Sequence, residues 1–291
     1  ALSSPTRVYY TGGITAPESI TGYKHMALAK NRIWLANNED DKKNSMRCSA
    51  IDAPNVLNGD DTTQILFGDK SEITGLETLY AVLGSNIFDT LVIFKRNALF
   101  GLTGGSPDDF QKYEITVKDG LVAPKTLKKA FTYLLGSALS VLIYQGSKGF
   151  YLFDNKTPIP IHEDIKNFFD PRESNTRKLH ASYIENSVGW VDNENMEYHW
   201  IFADASSTGN LNREFVFDLA RGGWYEINRG SSAALQFGFE VQDANSVRYN
   251  YGVRNNGIMC RLENGNTFNS NTINHEMWPG DLLFDEGKLR L

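Results

Sequence analysis

Five times along the chain, two short apolar runs flank a turn or loop of polar and glycine residues. The pairs occupy residues 25–36, 90–103, 139–154, 198–218 and 247–262. Runs of this length, rich in aromatic and β-branched residues and bounded by Gly, Asn, Ser and Asp, read as strands joined into hairpins. Turn chemistry fits at Lys30-Asn31, Lys95-Arg96-Asn97, Gln145 to Gly149, and Arg254-Asn255-Asn256-Gly257, because Asn and Gly tolerate the positive φ that tight hairpins require. The fourth pair is joined instead by a long polar loop holding Ser206, Ser207, Thr208 and Gly209. Phe215, Phe217 and Leu219 alternate as on a strand with one covered face. Val141-Leu142-Ile143-Tyr144 is apolar throughout, the mark of a strand buried on both faces.

The pairs begin at residues 25, 90, 139, 198 and 247, at intervals of 65, 49, 59 and 49 residues. Propeller blades of four strands recur every ~40–50 residues. The two long intervals are assigned to insertions: the polar loop Glu39-Asp40-Asp41-Lys42-Lys43, and the stretch Glu163–Phe169. In the latter, Ile165, Phe168 and Phe169 fall at helical spacing and Asp170-Pro171 ends the turn, so a short helix is expected between blades. Flanking strands are expected at Leu79–Leu83, Phe131–Leu135, Leu179–Ile184 and Leu235–Val241 before the pairs, and at Tyr113–Val117, Ile159–Ile161 and Trp224–Ile227 after them. The expected fold is an all-β propeller of five to seven blades over residues 1–291 as one domain. Segments around Val8-Tyr9-Tyr10 and Leu282-Leu283-Phe284 are available to close the ring.

Composition narrows the function. The formal net charge is −6, with 29 basic and 35 acidic residues, whereas proteins that grip nucleic acid through phosphates carry a basic excess. The densest basic stretch, Lys125, Lys128 and Lys129, reads as a solvated edge. No run approaches the ~20 apolar residues that span a bilayer, so neither sequence-specific nucleic acid nor membrane is an expected partner. The start, Ala1-Leu2-Ser3-Ser4-Pro5, lacks the regions of a signal peptide and an initiator Met, and reads as processed or as part of a longer protein. Cys48 and Cys260 are read as two buried free thiols in preference to a disulfide.

Chemistry-bearing motifs are sparse. The chain has no GxSxG elbow, Walker loop, HExxH or GxGxxG, the motifs that bring nucleophiles, phosphate cradles or zinc ligands together. His25, His162, His180, His199 and His275 are dispersed, and each is read as surface or satisfied core. Acidic clusters occur at Glu39-Asp40-Asp41, Asp60-Asp61, Asp108-Asp109 and Asp192-Asn193-Glu194-Asn195. Paired carboxylates serve glycoside hydrolysis, and Asp60-Asp61 or Asp192–Asn195 would suit calcium, but neither follows the EF-hand pattern; turn formation and solvation account for all four. Arg221-Gly222-Gly223-Trp224-Tyr225 resembles a kelch blade, with Trp224 read as core. No catalytic, cofactor-binding or metal-ligating residue is assigned, and no enzyme activity is expected.

Two stretches carry a family resemblance. Ala29-Lys30-Asn31-Arg32-Ile33-Trp34-Leu35-Ala36 followed by Met46-Arg47-Cys48-Ser49-Ala50 and the Ala53-Pro54 turn resembles the phage tail propeller proteins, which include the packaged-DNA stabilisation and tail-hub proteins of short-tailed phages. Asp119-Gly120-Leu121-Val122-Ala123 through Tyr144-Gln145-Gly146 and Gly149–Asp154 to Ile165, then Phe217-Asp218 to Trp224, is similar to further packing patterns of that family. The resemblance implies a virion component at the head–tail junction or tail, partnered by other virion proteins in a ring-shaped homo-oligomer, with no catalytic residue to transfer. Two other readings stand beside it: a glycan- or peptide-binding module using Trp190, Tyr198 and Trp200, and a propeller glycosidase using carboxylates such as Asp192 and Asp60.

Overall fold

The structure is a computed structural model that describes residues 22–57, 60–83, 86–116, 118–136, 139–230 and 234–262, with four short strands beyond. Its core is a succession of antiparallel meanders in chain order. Sheet 1 holds β1 (Tyr23–Ala29), β2 (Arg32–Asn38), β3 (Ser45–Cys48) and β4 (Gln64–Leu66). Sheet 2 holds β5 (Ile73–Leu83), β6 (Asn86–Lys95), β7 (Leu99–Thr103) and β8 (Gln111–Thr116). Sheet 3 holds β9 (Lys128–Thr132), β10 (Leu139–Gln145), β11 (Phe150–Phe153) and β12 (Ile159–Pro160). Sheet 4 holds β13 (Val188–Asp192), β14 (Glu197–Phe202), β15 (Arg213–Asp218) and β16 (Trp224–Ile227). Sheet 5 shows three strands, β17 (Leu235–Gln242), β18 (Arg248–Arg254) and β19 (Met259–Arg261). Beyond it, β20 (Thr267–Phe268) pairs β21 (Asn271–Thr272), and β22 (Leu282–Phe284) pairs β23 (Gly287–Leu289). Val8-Tyr9-Tyr10 lies outside the described residues. No helix among those described is long and apolar enough to cross a membrane.

The hairpin period becomes more regular once the strands are placed. The pair at 25–36 is the first and second strand of its sheet, whereas the other four pairs are second and third strands. Second strands begin at Arg32, Asn86, Leu139, Glu197 and Arg248, at intervals of 54, 53, 58 and 51 residues. The 65-residue interval therefore reflects a shift of one strand rather than the Glu39–Lys43 insertion, which is only the β2–β3 turn. Lys30 and Asn31 sit at φ 55° and 54°, the two left-handed positions of a two-residue type I′ hairpin.

Consecutive sheets pack face to face, which explains the unbroken apolar runs. In β10, Val141 and Ile143 enter the core shared with sheet 4, while Leu142 and Tyr144 enter the core shared with sheet 2. In β6, Leu91 and Ile93 face sheet 1, and Val92 and Phe94 face sheet 3. A strand covered on both faces has no polar side to alternate with. The first strands neighbour one another in order: β1 with β5, β5 with β9, β9 with β13, and β13 with β17.

Three connections are 3-10 turns. Glu163–Phe169 is one of them, placed between sheets 3 and 4 as its spacing predicts, with Ile165 buried and Asp170 as its C-cap. Pro124–Thr126 and Ala181–Asn186 are the others, so the structure has more than the one short helix expected. Leu179–Ile184, expected as a strand, falls largely in the last of these, where His180 accepts from the Ser182 amide. The first strand of sheet 4 is instead Val188–Asp192, disguised by Gly189. A Cβ at Gly189 would lie 2.2 Å from the Tyr198 hydroxyl, so glycine is needed there for close approach rather than for a turn. The strand expected at Phe131–Leu135 runs three residues earlier, at Lys128–Thr132. Both cysteines are free, Cys48 buried and Cys260 only half-buried.

The residues behind the family resemblance fasten strands together. Arg32, almost fully buried, donates to the Ser49 and Asp61 carbonyls at 2.9 and 2.6 Å and pairs with the Asp61 carboxylate. Ser49 Oγ accepts from the Ile33 amide at 3.0 Å, and Trp34 Nε1 donates to the Ala29 carbonyl at 3.0 Å.

The passage from sheet 1 to sheet 2 is tied down by Lys95, a buried ammonium that donates to the Phe67 and Asp69 carbonyls and to the Asp69 carboxylate. Lys95 and the Ser71 hydroxyl hold the Asp69 carboxyl down at about 2. A group with a depressed folded-state pKa stabilises the protein above its unfolded value of 3.8 and loses that contribution as pH falls toward 2. Wild type should therefore lose urea resistance more steeply than Asp69→Asn between about pH 4 and pH 2; identical acid limbs would contradict the tie.

Candidate functional site

The two faces of sheet 4 carry different chemistry because of strict alternation along β14. Tyr198, Trp200 and Phe202 point into the apolar core shared with sheet 3. There Trp200 stacks on Phe169 and Phe202, with centroids 5.4 and 3.9 Å away, and meets Phe150 edge-on at 5.0 Å. The opposite face, toward sheet 5, carries Glu197, His199 and Ile201 from β14, with Trp190 and Asp192 paired to His199 and Glu197 from β13.

His199 is the centre of this second face. Its ring stacks on Trp190 with centroids 3.8 Å apart, and only 2% of it is exposed. Nδ1 lies 2.8 Å from Glu214 Oε1. Glu214, itself buried, is gripped by Arg229, whose Nε and second guanidinium nitrogen donate at 2.6 and 3.0 Å. Nε2 faces Glu197 Oε2 at 3.5 Å and has no hydrogen-bond partner. Burial alone would lower the imidazole's pKa, but the Glu197 and Glu214 carboxylates outweigh it and raise it. Burial would likewise raise Glu214, but His199 and Arg229 prevail and hold it at about 2.

Asp192 closes the cluster at the end of the β13–β14 hairpin. Its Oδ1 accepts the Glu194 and Asn195 amides, each at 3.0 Å, and its Oδ2 accepts the Asn195 and Asn250 side-chain amides at 2.8 and 2.6 Å. Asp192 is 1% exposed, so it departs from the solvated reading of this segment, whereas Asn193, Glu194 and Asn195 form an exposed turn as expected. Asn193 is tied to sheet 5 through Glu240, and the Tyr225 hydroxyl donates to Glu197 at 2.5 Å. Glu214 and Arg229 also line a cleft of about 260 Å³, with Arg213 and Glu226 paired at 2.6 Å beside them.

The other residues weighed from sequence do not converge. Trp190, Tyr198 and Trp200 are all buried and lie on opposite faces of sheet 4, so they form no glycan platform. Asp61 braces Arg32, Asp109 caps its own turn through the Gly105 and Ser106 amides, and His162 Nδ1 lies 2.9 Å from the Phe150 carbonyl. Gly222 and Gly223 take φ 82° and 94°, and Trp224 packs partly buried against Phe150 and Phe217 at the margin of the core. His275 lies outside the described residues. What sequence reading missed is the pair Glu197-x-His199: two residues apart on a strand, they share a face.

No protein-family model matches this chain, and no curated protein matches it significantly.

Proposed function

We propose that the chain is a β-propeller that acts as a structural, non-catalytic component of a bacteriophage virion, at the head–tail junction or in the tail. The observation that carries the propeller is the serial order of the sheets: antiparallel meanders packed face to face, with the first strand of each beside the first strand of the next. Blades around an axis have this arrangement, with first strands innermost. What favours the phage reading is the resemblance of the Asn31–Trp34, Arg47–Ser49 and Phe217–Trp224 patterns, whose residues fasten strands and fill cores.

An assembly role is further supported by exposed apolar side chains along the first strands. Met26 and Leu28 on β1, Tyr80 on β5, Phe131 on β9 and Phe237 on β17 are 40–73% exposed. On innermost strands these side chains border the central channel, where apolar surface marks contact with a segment of another virion protein. Against a glycosidase stands the burial of Asp192, whose oxygens are taken up by amides; Asp60 is exposed, and its neighbour Asp61 is committed to Arg32.

Light scattering and negative-stain electron microscopy of the purified chain, with antibody labelling of phage particles, test this reading. The expected result is a ring of copies and label at the tail vertex. A stable monomer that never joins particles would overturn it.

A further inference from the structure

Asp192, Glu197 and His199 each place a ligand atom within 4.8 Å of the other two. The histidine is oriented for ligation. Nδ1 lies against Glu214 Oε1 and the opposite edge of the ring turns Nε2 toward Glu197, the carboxylate–histidine arrangement that commonly supports metal ligands. Nε2 is buried and without a hydrogen-bond partner, and at 3.5 Å the Glu197 oxygen is too far for a good one. Two carboxylates facing a buried ring nitrogen call for a positive charge between them, which a ring proton or a bound cation would supply.

We propose that Asp192, Glu197 and His199 form a structural site for a divalent transition-metal ion of the zinc type. An imidazole ligand favours zinc over calcium, which takes oxygen ligands almost exclusively. The separation of His199 Nε2 from Glu197 is already close to the ~3.3 Å between ligands of a tetrahedral zinc with ~2.0–2.1 Å bonds. Asp192 has all four lone-pair positions engaged, two of them on Oδ2 by amides. An ion bound at Oδ2 would displace the Asn250 amide that now donates there. The ion would tie the end of β13 to β14 across their hairpin. The site is independent of the virion reading.

The full chain, stripped with a chelator, is titrated with zinc chloride by calorimetry, in parallel with calcium chloride, and the His199 ring is followed by nitrogen-15 NMR. One zinc per chain should bind, at least ten-fold more tightly than calcium, with the Nε2 resonance shifting. Glu197→Gln, at a half-exposed position where the amide oxygen still accepts from Tyr225, should fold and weaken binding roughly ten-fold or more. His199→Gln should do the same, with circular dichroism reporting its fold. The proposal is overturned if wild type shows no saturable zinc site, if calcium binds as tightly, or if Glu197→Gln binds as wild type does. It is equally overturned if His199 carries protons on both nitrogens at neutral pH with and without zinc.

Discussion

Replacing Glu214 with alanine should lower the unfolding free energy by about 3–5 kcal/mol, the usual cost of removing one partner from a buried charge pair. The size follows from what remains. Arg229 loses both of its bonds to the carboxylate, and His199 loses the acceptor for Nδ1 in a site only 2% exposed. Removing Glu163, which pairs with Lys166 on an exposed 3-10 turn, should leave the urea midpoint almost unchanged, because solvent screens an exposed pair. Urea midpoints of the two variants separate these outcomes; equal shifts would mean that burial of Glu214 carries no energetic weight.

Trp200→Ala should cost about 3–5 kcal/mol by opening a cavity in the core between sheets 3 and 4. Trp200 is fully buried and touches Phe150 from sheet 3, Phe169 from the connecting 3-10 turn, and Phe202 and Phe215 from its own sheet. The loss should therefore be felt as weaker adhesion between two sheets rather than as damage to one hairpin. Limited proteolysis should show cutting in the 170–187 connection appearing together with the fall in urea midpoint. An unfolding free energy within about 1 kcal/mol of wild type would contradict the packing described for this face.

The parts of the fold legible in the sequence are those fixed by local chemistry. Lys30-Asn31 announced its hairpin because few residues accept two successive left-handed positions. Val141–Tyr144 announced a strand buried on both faces because nothing in it was polar. Glu163–Phe169 announced a helical turn through the spacing of Ile165, Phe168 and Phe169, though hydrogen bonding tightens it to 3-10 geometry. Val188–Asp192 was hidden, since the need for Gly189 comes from the Tyr198 hydroxyl on another strand. Strand order within the first sheet was hidden too, because a hairpin looks the same whether it is the first or the second of its meander.

The carboxylate–histidine cluster was half legible. Glu197 and His199 share a face by alternation alone, but the register that sets Asp192 opposite Glu197 depends on the four-residue turn 193–196, in which Met196 takes φ 56°. Glu214 arrives from the next strand, and Arg229 from beyond β16. An acidic residue beside an Asn-rich turn looks solvated in sequence; only the packing of sheet 5 over Asp192 buries it.

A cryo-electron-microscopy reconstruction of the full chain in its assembled state bears most directly on the propeller. It should show the five sheets radiating from one axis, with β1, β5, β9, β13 and β17 innermost and the chain termini completing the ring. An open row of stacked sheets, with sheet 1 and sheet 5 at opposite ends and no common axis, would contradict it.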